Sequence, residues 1–166
     1  QAGYEIETVY LGIGAGMALA AKLDQKDYKT VALIGDAECD EGSIWESAMM
    51  AASQKSHNLT IIIDFNKWQA TGRSRKVLSL EPLKDKWLSF GWNVTVVDGH
   101  NIVELIDALK KVKYSKTKKP SVIIAETIKG KGISFLEEDA MCHLKNISKT
   151  DELEKAKKEL QWDNNE

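Results

Sequence analysis

Asp36 and Asn66 each stand at the end of a short apolar, β-branched run. Val31-Ala32-Leu33-Ile34 leads into Gly35-Asp36, and Thr60-Ile61-Ile62-Ile63 leads into Asp64-Phe65-Asn66. Runs of this kind are typical of parallel strands covered on both faces. In an open α/β sheet, ligands bind outside the carboxyl ends of the strands. If the two strands are parallel neighbours, the Asp36 carboxylate and the Asn66 amide reach one crevice. A few oxygen donors of this kind suit Mg²⁺, which takes its remaining ligands from water and phosphate oxygens. The pattern points to a Mg²⁺-diphosphate site. The plainer reading of Asp36, a carboxylate capping the next helix, is common after a strand.

Positioning such a site requires alternating strands and helices. Strand-length apolar runs cover Thr30 to Ile34, Leu59 to Asp64, Asn93 to Val97 and Ser121 to Glu126. Between them lie segments of helical period: Ala15 to Leu23, Ser43 to Gln54, Pro82 to Phe90 and Val103 to Val112. This alternation predicts an α/β fold, a parallel sheet with helices on both faces. Pro82 suits a first helical turn and Gly91 a C-terminal stop. Asn101 with Glu104 reads as a capping box, with Val103, Ile106 and Leu109 turned to the sheet. After Gly132 the pattern changes to a loop and a final helix, with Leu153, Ala156 and Leu160 on one face and Glu154 paired to Lys158.

At 166 residues with 43% hydrophobic content, a single domain with a substantial core is expected over 1–166, residues 133–166 being its C-terminal loop and helix. A formal net charge of −2 gives no reason to expect nucleic acid as a partner. No apolar run is long enough to span a bilayer, and the chain does not open on a secretory signal. Cys39 and Cys142 make neither a zinc pattern nor a disulfide framework, so two ordinary thiols and a cytoplasmic setting are the default.

GDAECDEG followed by DFNKWQATG resembles the thiamine diphosphate (ThDP) motif of transketolases, with GMALAAKL, EGSIWESAMMAA, VLSLEPLKDKWLSFGWNVTVVDGH and PSVIIAETIKGKGISF in support. The series is most similar to the stand-alone N-terminal subunits of split enzymes. The resemblance implies a ThDP-binding fold and the cofactors ThDP and Mg²⁺. It implies transfer of a two-carbon ketol (glycolaldehyde) unit between sugar phosphates. Asp36, Asn66 and the Trp68 carbonyl would hold the metal. Gly35, Asp36, Ala37, Asn66, Ala70, Lys129 and His143 would approach the cofactor, His143 also as a catalytic residue near substrate. Glu41 and Glu46 would join an acidic network between two active sites. The implied partner is a pyrimidine-binding transketolase subunit or domain, without which the chain is inactive, in a homodimer or heterotetramer.

Two departures stand out. The family's usual third-position glycine is Ala37 here, and a positive φ there would be costly. Ahead of GMALA the chain reads GYEIETVYLGIGA in place of the family's Gly-rich segment, and the part of the family's N-terminal region that carries substrate-contacting histidines is not matched. Gly12, Gly14 and Gly16 also imitate a dinucleotide fingerprint, a weak match because the third glycine comes one residue early. A deoxyxylulose-phosphate synthase-like enzyme, a specialised sugar ketolase and a non-catalytic partner-binding homologue are the alternatives.

Overall fold

The computed structural model describes residues 11–143, 145–148 and 151–162. Four parallel strands, β1 (Thr30–Gly35), β2 (Leu59–Phe65), β5 (Asn93–Asp98) and β6 (Ser121–Glu126), form a sheet in the order β1-β2-β6-β5. A two-stranded hairpin, β3 (Trp68–Gln69) and β4 (Gly72–Arg73), projects from the end of β2. The helices are α1 (Leu11–Leu23), α2 (Gly42–Ser53), α3 (Ser74–Val77), α4 (Leu83–Ser89), α5 (Ile102–Lys113) and α6 (Asp151–Glu159).

The sheet divides its apolar residues between two cores, as alternation along a strand requires. Ile34, Ile61, Ile63, Val122 and Ile124 face α1, α2 and α4, while Ile123, Ala125 and Val97 face α5. The first core carries an aromatic cluster. Trp87 of α4 is fully buried, with ring centroids 5.2 Å from Trp45 and 5.0 Å from Trp92. Trp45 also donates its indole N–H to the Cys39 carbonyl at 2.8 Å, tying this cluster to the loop after β1.

Gly12, Gly14 and Gly16 all lie inside α1, not in a strand-to-helix turn, which removes the dinucleotide reading. Gly14 instead lets the helix approach β1, since an added Cβ would sit 3.3 Å from the Ala32 Cβ.

Three local expectations need correction. On α5, Ala108, Leu105 and Val112 pack on the sheet, Ile106 and Leu109 line an apolar cleft with Val31, Thr60 and Ile62 of β1 and β2, and Val103, 67% exposed, is the one that turns away. Gly99 lies against β6, donating to the Glu126 carbonyl at 2.8 Å. The capping box is half formed. The Asn101 side chain accepts from Val103 and Glu104 N–H, but the Glu104 carboxylate accepts from Asp98 N–H and the Asn101 side-chain amide rather than from Asn101 N–H. On α6, Glu154 pairs with Lys157 at 3.0 Å, one position short of Lys158. Gly91 ends α4 with φ +87°, as a C-terminal stop requires.

Candidate functional site

The carboxyl ends of β1, β2 and β6 lie side by side, with Gly35 in register with Asp64 and Asp64 with Ala125. Beyond them opens a crevice of about 440 Å³ whose walls include Asp64, Asn66, His100, Thr127, Lys129 and Cys142. Asn66 and Lys129, 63 positions apart in the chain, therefore face one space. Asp36 adjoins it from β1, where its backbone N–H donates to the Asp64 carbonyl at 3.1 Å.

Asp36 is only 1% exposed. Its Oδ2 accepts the Lys67 N–H at 2.9 Å and the Ser74 hydroxyl at 3.1 Å, so the β3–β4 hairpin and α3 fold back onto this carboxylate. Lys67 adopts φ +67° to make that contact, a conformation a non-glycine residue holds only when its surroundings impose it. The Asp36 pKa is raised to about 6, chiefly by burial and slightly by the nearby Asp64 charge, against the lowering effect of the hydrogen bonds from Ser74, Lys67 and Ala37. A buried carboxylate with its neighbour of like charge is a place where a cation is favoured.

The other expected residues are distributed as follows. Asn66 Oδ1 accepts the Trp68 N–H at 2.9 Å, and a carbonyl oxygen has a second lone pair for a metal. Gly35 N–H is already engaged, donating to Glu38 Oε1 at 2.7 Å. Ala37 opens a 3₁₀ turn, Ala37–Asp40, and is not among the described residues of positive φ, so the added Cβ costs no backbone strain. Ala70 is exposed at the tip of the β3–β4 hairpin. Glu41, at the N-terminus of α2, and Glu46 within it are both exposed, and neither forms an ion pair among the described residues. The His143 side chain lies outside the described residues; its backbone closes a 3₁₀ turn, Ala140–His143.

Lys129 sits in a turn made by Gly130, φ +75°, where an added Cβ would lie 2.2 Å from the Leu136 carbonyl oxygen. The KGKG sequence is thus a close backbone packing device that carries a cation into the crevice.

Sequence reasoning passed over four residues here. His100 Nε2 accepts the Ile128 N–H at 2.8 Å, which places the Lys129 turn. Ser74 engages Asp36, and Asp64 accepts hydrogen bonds from Thr127 and Asn66. Only Asp64 carried a signal: it stands two positions before Asn66, hence on the same side of an extended chain.

Both cysteines are free. Burial, followed by the charges of Asp36, Glu38 and Asp40, pushes the Cys39 thiol up to about 12. Because the thiolate is the reactive form, a disulfide reagent at pH 8 is expected to modify Cys142 in the native chain and Cys39 only after unfolding. Peptide mapping that finds Cys39 labelled in the native chain contradicts this.

The donors present, the Asp36 carboxylate and the Asn66 amide oxygen beside a lysine, are hard oxygen ligands with a counter-charge for phosphate. They fit Mg²⁺ with a diphosphate.

Residues 14–166 match the family model described as transketolase, thiamine diphosphate binding domain. The chain is 43% identical over 145 residues to an apulose-4-phosphate transketolase subunit of Phocaeicola vulgatus, covering 85% of this chain and 51% of that protein. It is 42% identical over 158 residues to 6-deoxy-6-sulfo-D-fructose transketolase subunit SqwG of Clostridium sp. (strain MSTE9), covering 93% and 56%. The chain thus spans about half the length of these curated relatives. Among solved structures, the transketolase of Campylobacter jejuni superposes with a TM-score of 0.83 at 29% identity, covering 96% of this chain and 26% of that one. No helix among the described residues is long and apolar enough to cross a membrane. The fold, the order of the motifs and these matches agree: the chain belongs to the transketolase family, as its thiamine diphosphate-binding domain.

Proposed function

We infer that this chain is the diphosphate- and Mg²⁺-holding part of a ThDP-dependent ketol transferase, moving a two-carbon unit between sugar phosphates. The observation that carries the reading is the buried Asp36 carboxylate beside a crevice shared by Asn66 and Lys129 at the carboxyl ends of three parallel strands. Asp36, Asn66 and the Trp68 carbonyl hold Mg²⁺, and the Lys129 ammonium offsets phosphate charge. When bound, ThDP supplies the electron sink that lets a carbon–carbon bond beside a ketone break and re-form. The chain's own residues anchor and orient the cofactor, and by its match to the family His143 would serve the substrate.

The relatives named as transketolase subunits support a partner chain that binds the pyrimidine end of the cofactor. The assembly is then a homodimer or heterotetramer, with the exposed Glu41 and Glu46 of α2 available to an acidic network between sites. A specialised sugar is the second reading for substrate, favoured by relatives named for apulose 4-phosphate and 6-deoxy-6-sulfo-D-fructose.

Calorimetric titration with ThDP tests the cofactor site. Binding is expected only with Mg²⁺ present, and Asn66→Ala is expected to remove it. Equal binding with and without Mg²⁺, or binding unaffected by Asn66→Ala, would falsify the metal assignment. Silence of the chain both alone and with a pyrimidine-binding subunit supplied favours a non-catalytic homologue.

A further inference from the structure

Asp64 has no part in the ligand set above, yet both of its oxygens are engaged at the centre of the sheet's carboxyl rim. Oδ1 accepts the Thr127 hydroxyl from beyond β6, and Oδ2 accepts Asn66 Nδ2 at 3.3 Å. On its other side the Asn66 amide offers Oδ1 to the Trp68 N–H at 2.9 Å. The two ends of an amide differ only in what they can bond: NH₂ donates, the oxygen accepts, and an ionised carboxylate accepts without donating. A carboxylate at position 64 therefore admits one orientation of Asn66. Turning the amide over would set its oxygen against the Asp64 oxygen and its NH₂ against the Trp68 N–H, leaving two like pairs face to face.

We propose that Asp64, steadied by Thr127, is a positioning residue that fixes the Asn66 amide with its oxygen turned away from the carboxylate and available to the metal. The proposal rests on the reading that Asn66 ligates Mg²⁺. A carboxylate serving only to join β2 to β6 would need the Thr127 contact alone; the contact to Asn66 is the one that bears on the ligand. Partners of this kind orient metal ligands, and their loss typically lowers metal affinity by about 10–100-fold.

A reversal of the pair provides the test. Mg²⁺-dependent ThDP affinity is measured by calorimetry for the unaltered chain, for Asp64→Asn, for Asn66→Asp, and for the two together. Asp64→Asn is expected to weaken binding by about 10–100-fold, because an amide at position 64 accepts either orientation of its neighbour. Asn66→Asp is expected to weaken it too, by placing two carboxylates against each other. In the double variant an amide at position 64 donates to a carboxylate at position 66, and affinity is expected to recover to within a few-fold of the unaltered chain. A direct ligand or a purely structural residue gives no such recovery, so losses that multiply in the double variant overturn the proposal. So does an Asp64→Asn variant that binds as well as the unaltered chain. An unaltered chain that fails to bind ThDP with Mg²⁺ removes the underlying site reading instead, a distinguishable result. Independently of any cofactor, exchange of the Asn66 side-chain NH₂ protons with solvent, followed by NMR, is expected to quicken in Asp64→Asn. Unchanged exchange refutes the contact on which the positioning depends.

Discussion

Replacing Asp36 with asparagine is expected to raise the melting temperature of the cofactor-free chain at pH 7 while abolishing its Mg²⁺-supported binding of ThDP. The fold holds this carboxyl group at a pKa of about 6, against 3.8 in the unfolded chain, chiefly through burial. The native state therefore binds the proton more tightly than the unfolded state does. Stability from this group is fully present below pH 3.8 and is lost as pH rises through about 6. At roughly 1.4 kcal/mol per pKa unit, the ionised group costs the empty fold on the order of 3 kcal/mol at neutral pH. Asparagine keeps an oxygen for the Lys67 and Ser74 donors and carries no charge. For a chain of this size each kcal/mol corresponds to about 2–4 °C in Tm. The gain in Tm should be small near pH 4.5 and grow toward pH 7.5; a gap that is flat with pH contradicts the assignment. On the proposed reading Mg²⁺ would require the ionised form, so its affinity for the unaltered chain is expected to fall as pH drops below about 6.

The second large effect lies in the core. Trp87→Ala is expected to destabilise the chain by about 3–5 kcal/mol, the range for deleting a fully buried large aromatic. Trp87 has no exposed surface and touches both Trp45 and Trp92. Its indole N–H has no hydrogen-bond partner among the described residues, so the group contributes through packing and not through a polar contact. Trp87→Phe should accordingly cost much less than Trp87→Ala. Trp92, whose N–H donates to the Ala48 carbonyl at 3.0 Å, lacks that tolerance. Urea unfolding of the two Trp87 variants decides the matter: equal costs would mean that the indole edge is engaged after all.

The four sheet strands were legible in the sequence to within one residue at each end, because β-branched runs bounded by turn residues describe themselves. The same runs placed Asp36 and Asn66 at neighbouring strand ends, whereas Lys129 was expected beside them only through the family resemblance. What the sequence could not show was contact between distant segments. Ser74 reaches Asp36 from 38 positions away, and His100 reaches Ile128 from 28. On α5, Ile106 and Leu109 were rightly expected toward the sheet, where they line a cleft with Val31, Thr60 and Ile62, while Val103 is exposed. Glu104 had two backbone N–H groups within reach, and the chain's path before the helix decided which it took.

The sheet order has a consequence for how the site comes into being. β6 is the last of the four strands to be synthesised, yet it lies inside the sheet, between β2 and β5. A nascent chain ending before Ser121 holds β1 and β2 ready to pair, while β5 has no neighbour to join. Asp36 and Asn66 are in place by then, but Thr127, Lys129 and the backbone that His100 grips are not. Pairings across such long stretches form late because loop closure must precede them. The crevice is therefore assembled from segments made earlier and later, and it closes only when β6 inserts between two strands that were made before it.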